Sequence, residues 1–175
     1  VVEILQNYSF LDSKGDIKGR AFEKVLGPAI RAGMGQYFTP DEVVKLAVGI
    51  IKPKVSDLIL DPFCGSAHFL TSALEEVKKD YEAGKINEYS FHQFKFFHLH
   101  GIEKSERMVR IAMSDMLLQD DGHSNIRCTD ALLSFDNYPD IKALGGEENS
   151  DPQVFDIVLT NPPFGSLMGG EIGNI

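Results

Sequence analysis

The sequence predicts an α/β fold, a doubly wound and mostly parallel sheet preceded by a short N-terminal helical segment. Three observations predict it. Short apolar runs alternate with stretches of helical period along the 175 residues. Each short run closes on an acidic or amide residue: Asp61, Glu103, Asp130 and Asn161. Helical stretches at 21–32 and from Thr39 stop at glycine and proline, and the second starts at a capping residue. Residues 1–34 form the helical lead-in and residues 35–175 the sheet-containing domain.

The elements follow in order. Residues 21–32 carry Phe22, Val25, Leu26, Ala29 and Ile30 on one helical face, and Gly33-Met34-Gly35 breaks that helix. Thr39-Pro40-Asp41-Glu42 reads as a capping box, with Thr39 at the N-cap, Pro40 at the first helical position and Glu42 at the third. The helix runs to about Ile51 with Val43, Leu46, Ala47 and Ile50 at core spacing, and Pro53 ends it. Residues 58–61 (LILD) are a short strand, followed by a glycine turn and a helix over 66–79. Residues 80–90 are polar and read as a loop, and 91–97 are rich in phenylalanine. A strand closes on Glu103, a helix covers 105–118, and a third strand covers 125–129. Residues 138–153, with Gly145-Gly146 and Glu147-Glu148, read as an exposed loop before the last strand, 155–160. That last strand is expected beside the 58–61 strand.

Composition narrows the function classes. A hydrophobic fraction of 43% and a charged fraction of 25% fit a globular domain with a real core. No apolar run reaches membrane-span length, and no signal segment opens the chain. Cys64 and Cys128 make no disulfide framework; both sit among apolar residues and are expected to stay reduced, as in a cytoplasm. No His/Cys cluster has metal-ligand spacing, so no metal is expected. Val1 is not an initiator methionine, which suggests an excised or processed piece. The net charge of −9 has the wrong sign for gripping nucleic acid. From residue 130 onward, eight acidic side chains face the single Lys142.

In an open α/β sheet, ligands bind beyond the carboxyl ends of the strands. Asp61, Glu103, Asp130 and Asn161 therefore point at one crevice. The Gly65 turn after the first strand lets backbone approach a ligand closely. Glu103 is placed to accept two ribose hydroxyls, and Asp130 to accept from an adenine amino group. A dinucleotide site would want several glycines to admit a pyrophosphate. Here the turn has one glycine and begins with an acid, which repels phosphate and tolerates a sulfonium and an α-amino group. S-adenosylmethionine carries both and no phosphate.

Asn161-Pro162-Pro163-Phe164 ends the last strand. The prolines stiffen the loop. The Asn161 side-chain oxygen and the Pro162 carbonyl can accept the two hydrogens of an exocyclic amine while Phe164 stacks on its ring. Taken alone, the tetrapeptide reads equally as a turn that stops a strand.

These segments carry a family resemblance. Gly35-Gln36-Tyr37-Phe38-Thr39-Pro40, the run from Asp61 through Leu70, Gly101-Ile102-Glu103 and Asn161-Pro162-Pro163-Phe164 stand in the order seen in N6-adenine DNA methyltransferases. The chain most resembles the modification (M) subunit of type I restriction-modification systems, from about residue 16 to about residue 165. Each motif is modest alone; four in order are specific. The resemblance implies a class I, Rossmann-like S-adenosylmethionine-dependent methyltransferase domain, truncated after the fourth of seven strands. Gln36, Tyr37, Phe38, Thr39 and Pro40 then resemble the segment around the cofactor's methionine end. Phe63, Cys64, Gly65 and Ser66 resemble the turn beneath it, Asp61 the partner of its amino group, Glu103 the ribose acid and Asp130 the adenine contact. Asn161, Pro162, Pro163 and Phe164 resemble the target-adenine clamp.

The implied partners are double-stranded DNA, gripped through parts absent from this sequence, and the specificity and restriction subunits of a type I system. A glutamine or RNA-base N-methyltransferase shares the same clamp, and an inactive cofactor- or partner-binding fragment is the further alternative. The family usually has glycine where Ala67 stands and a small residue at His68, so a methyl and an imidazole are expected to crowd the turn. Phe91, Phe94, Phe96 and Phe97 read as core, and His92, His98, His100 and His123 as structural or surface residues.

Overall fold

Four strands pair in parallel in the order β3-β2-β1-β4 in a computed structural model that describes residues 39–119, 125–144 and 154–163. They are β1 (Ile59–Asp61), β2 (Leu99–Glu103), β3 (Ile126–Cys128) and β4 (Ile157–Val158). Asp61 stands opposite Gly101, Glu103 opposite Cys128, and Leu60 opposite Val158. The last strand lies beside the first, as its sequence predicts. The helix expected over residues 21–32 lies outside the described residues.

Among the described residues, five α-helices accompany the strands: α1 (Asp41–Ile51), α2 (His68–Glu82), α3 (Glu88–Gln93), α4 (Glu106–Leu118) and α5 (Pro139–Leu144). α2 buries Phe69, Leu70, Ala73, Leu74 and Val77, a stripe of helical period. It meets Val109, Ala112 and Met116 of α4 over Ile59, Leu99 and Ile126 of the sheet. Ile102, Tyr138 and Ile141 pack on the opposite face with Leu60 and Phe155. Apolar cover on both faces is what parallel strands require. Each large side chain buried in this way contributes about 1.5–3 kcal/mol.

Several boundaries differ from the sequence reading, each for a physical reason. Residues 80–90 are not one loop. α2 runs on to Glu82, and α3 starts at Glu88, where the Asn87 side chain accepts from Ser90 N at 2.8 Å. α3 widens into a π-helical turn, Phe94–His98, before β2. Phe91 and Phe94 are core, but Phe96 is half-buried and Phe97 is exposed. Residues 138–144 are not an exposed loop: Tyr138 is buried and α5 starts on Pro139, with Ile141 in the core. The rest of that loop, 145–153, lies outside the described residues.

α1 differs most. It presents Val44 and Val48 to the core, while Val43, Leu46 and Ile50 are exposed. Its sequence carries apolar residues on two faces, so period alone does not choose between them. The capping box does not form either. Pro40 occupies the cap position, its carbonyl accepts from Val43 N and Val44 N, and no side chain caps the helix. Cys64 is buried as expected, whereas Cys128 is exposed.

Candidate active site

Parallel strands bring their carboxyl ends to one edge, and a continuous chain of contacts runs along it. Asp61 ends β1, is 1% exposed, and accepts from Phe63 N at 3.1 Å. Burial pushes its carboxyl up from 3.8 to about 7. The Glu103 carboxylate adds to that rise. The Thr160 hydroxyl lies close enough to ease it, yet this buried oxygen has no hydrogen bond of good geometry. Sequence reasoning passed over Thr160; its place one residue before Asn161, at a strand's end, was the available signal.

The turn after β1 is fixed by the neighbouring strand. Cys64 N donates to the Ile102 carbonyl at 2.9 Å, and Gly65 N donates to Glu103 Oε2 at 3.1 Å. Glu103 Oε1 accepts from Ser105 N at 2.7 Å. The carboxylate is thus oriented by two backbone donors, and each oxygen keeps a second lone pair for a ligand. Gly65 has φ +52, and a Cβ there would meet nothing within 4 Å, so the turn is open above it. Phe63 and Ser66 are half-buried beside it. Burial, then the charges of Asp61 and Glu103, push the Cys64 thiol up, so it stays protonated at neutral pH.

Gly101 has a close-packing reason that the sequence did not reveal. A Cβ there would stand 2.7 Å from Ile126 Cδ1 and 2.9 Å from Cys64 Sγ. Strand β2 therefore needs glycine for Cys64 to sit over it.

The two departures from the family pattern resolve differently. Ala67 takes φ +66, a left-handed conformation that favours glycine. Its methyl is buried among the core side chains. The His68 imidazole reaches away to α1, with Nε2 3.2 Å from Asp41 Oδ1. Asp41 also accepts from Lys45 at 2.6 Å, and that bond above all holds its carboxyl below the usual value.

At the far end, Asp130 follows β3. Lys104 Nζ pairs with its Oδ2 at 2.6 Å, and Leu132 N donates to Oδ1 at 3.0 Å. The lysine bond chiefly lowers its pKa. The buried Tyr138 donates its hydroxyl to the Asp130 carbonyl. That pairing is the unrecognised reason residues 138–144 fold back; Pro139 as a helix-starting residue was the missed signal.

Asn161 stands three residues beyond β4. Its Nδ2 donates to Thr39 Oγ1 at 3.1 Å. Pro162 and Pro163 are exposed, as is Pro40. Gln36, Tyr37, Phe38, Phe164 and His123 lie outside the described residues. Among the described residues, no group of three His, Cys, Asp or Glu side chains could hold a metal ion. Among them, too, no helix is long and apolar enough to cross a membrane.

This strand order, acids at the strand ends and a proline-stiffened asparagine loop define a Rossmann-like domain of the methyltransferase class. The model of the N-6 DNA Methylase family matches residues 13–171, and the chain belongs to that family. It is 31% identical over 148 residues to the type I restriction enzyme EcoEI methylase subunit of Escherichia coli, covering 84% of this chain and 27% of that one. It is 33% identical over 150 residues to the StySPI methylase subunit of Salmonella potsdam, covering 81% of this chain and 26% of that one. It also resembles the crystal structure of the EcoKI M protein, with TM-score 0.58 and 28% identity over 74% of this chain and 26% of that one. The chain thus spans about a quarter of the length of the relatives it matches.

Proposed function

We propose that this chain is the catalytic segment of an S-adenosylmethionine-dependent DNA adenine-N6 methyltransferase, the modification component of a type I restriction-modification system. The observation that carries the reading is the row Asp130, Glu103, Gly65, Asp61, Thr160, Asn161 along one sheet edge, in a chain of the N-6 DNA methylase family. The names of its relatives favour DNA over a protein or RNA substrate. Acting on DNA with specificity and restriction subunits, it would work in the cytoplasm.

The residues present fit the cofactor. An almost fully buried Asp61 gains from a cationic partner, and the buried Thr160 hydroxyl has no hydrogen-bond partner among the described residues. The Gly65 turn is open enough for a ligand to approach its backbone. When bound, S-adenosylmethionine supplies a methyl group on a sulfonium leaving group. Asp61 holds its ammonium, Glu103 its ribose hydroxyls, and Asp130 the amino group of its adenine. By the family resemblance, Gln36, Tyr37, Phe38, Thr39 and Pro40 would serve its methionine end, and Phe63, Cys64 and Ser66 would lie beneath it.

On the substrate side, Asn161 Oδ1 and the Pro162 carbonyl accept the two N6 hydrogens. They draw the lone pair out of ring conjugation and stabilise positive charge as it develops on N6. Pro163 fixes the loop, and by the family resemblance Phe164 would stack on the base. The proton that N6 loses passes to solvent, and no enzyme nucleophile is needed.

The test is Asn161→Ala in the full gene product with its specificity partner. Cofactor affinity should hold while kcat falls by more than a hundredfold, since the lost acceptor acts mainly in the transition state. Mass spectrometry of the DNA reads the outcome. Normal N6-methyladenine formation by the variant removes Asn161 from the mechanism.

A further inference from the structure

Thr39 has the sequence of a helix cap and does not act as one. It stands before α1 with Glu42 three residues on, yet no side chain caps that helix. Its hydroxyl instead accepts from Asn161 Nδ2 at 3.1 Å, across 122 positions of sequence. Local rules of this kind are broken where a site makes a competing demand.

The demand here is orientation. A side-chain amide has a donor end and an acceptor end. The hydrogens of an amino group need the acceptor. If the amide turned over, two N–H groups would face two N–H groups. With Nδ2 given to Thr39, Oδ1 is directed to the other side. Thr39 is itself held in place. Pro40 accepts the first amides of α1, Val44 and Val48 anchor α1 in the core, and Asp41 meets His68 at the start of α2. The hydroxyl is therefore carried by an element tied to the cofactor turn.

We propose that Thr39 is a positioning residue that locks the Asn161 amide with its oxygen toward the amine to be methylated. The proposal rests on the reading of Asn161 as the target clamp and assigns Thr39 a role beyond any contact with cofactor. Thr39 acts through Asn161 and touches no reacting atom. A cofactor turn and a target clamp linked through the start of α1 follow from the same geometry.

The experiment uses the full gene product with its specificity partner, saturating S-adenosylmethionine and unmodified genomic DNA as acceptor. Thr39→Val keeps the shape and removes the hydroxyl, Thr39→Ser restores the hydroxyl, and Asn161→Ala is the reference. Single-turnover methylation should fall at least tenfold in Thr39→Val and return to within threefold of wild type in Thr39→Ser. The rate loss in Thr39→Val should persist at cofactor concentrations far above the Kd that calorimetry gives for each variant. Wild-type turnover by Thr39→Val beside an inactive Asn161→Ala overturns the proposal and leaves the clamp standing. A full rate at saturating cofactor with weakened Kd also overturns it, because Thr39 is then only a cofactor contact. Full activity of Asn161→Ala overturns the clamp itself.

Discussion

Replacing Asp61 with asparagine separates the cost of a buried charge from its use. The carboxyl is 1% exposed, with Phe63 N as its backbone donor. Burial raises its pKa from 3.8 to about 7. A raised carboxyl favours the protonated form in the folded state. Its contribution to stability is full below 3.8 and is lost as pH rises through about 7. By linkage that loss is about 4 kcal/mol, an order-of-magnitude figure. Asparagine has nearly the same shape and cannot ionise, so the variant lacks this slope.

Urea unfolding without cofactor at pH 4.5 and pH 8 is the assay, and only the difference between variant and wild type is informative. His100 titrates the other way across the same window. Burial first, then the Arg127 charge, lower it to about 4, so its contribution is present above 6.5 and lost as pH falls through 4. The wild-type curve alone should therefore be shallow. Relative to wild type, Asp61→Asn should gain several kcal/mol of stability on going from pH 4.5 to 8. Over the same range, wild-type cofactor affinity should rise with a midpoint near pH 7, and the variant should bind more than tenfold more weakly at pH 8. Parallel pH profiles for the two proteins, or undiminished cofactor binding by the variant, would refute the reasoning.

Three further outcomes follow from the site's construction. Glu103→Ala should weaken S-adenosylmethionine by more than tenfold in calorimetry, above about 1.4 kcal/mol, because a double acceptor and the anchor of the Gly65 turn go together; unchanged affinity removes it from the site. Gly101→Ala should cost roughly 1–3 kcal/mol in denaturant unfolding. Adding Cys64→Ala should recover part of that, since the short Cys64 side chain cannot swing aside as Ile126 Cδ1 can; a loss that ignores Cys64 refutes the packing argument. A thiol reagent should modify the exposed Cys128 at neutral pH and spare Cys64 until the protein unfolds, and two equally fast thiols would contradict the burial of Cys64.

The site was legible in sequence because its residues sit where backbone rules are strict. Asp61, Glu103 and Asn161 each close a short apolar run, and parallel pairing leaves only one edge for such ends to share. The strand β4 lies beside β1, as expected alongside the family resemblance. What escaped the sequence depends on tertiary partners. Thr39 reads as a cap until Asn161 is seen to claim its hydroxyl. Residues 138–144 read as a loop until Tyr138 meets the Asp130 carbonyl and Ile141 finds the second core. Val43, Leu46 and Ile50 make as good a stripe as Val44 and Val48, and only the position of α2 decides between them. Gly101 looked like one motif letter; its constraint is the Cys64 side chain above it.

Charge connects the site to its proposed substrate. Asp61 and Glu103 are sunk in the crevice, and Asp130 has drawn the nearest cation, Lys104, into an ion pair. A rim of this sign suits a sulfonium and an ammonium and repels phosphate. The same sign, with −9 overall, works against a DNA backbone lying across this edge. On the proposed function, the phosphates must then be held elsewhere, and the target base must leave its stack to reach Asn161. Relatives about three times as long have room for such a grip. On that proposal the strand-end residues need only receive one flat ring and its amine, so the stiffness of Pro162 and Pro163 and the orientation of the Asn161 amide would matter more than net attraction for DNA. Gel-shift titration of the 175-residue chain should accordingly give no sequence-specific DNA complex at physiological salt. Nanomolar binding by this chain alone would mean that the acidic surface is not what governs its encounter with DNA.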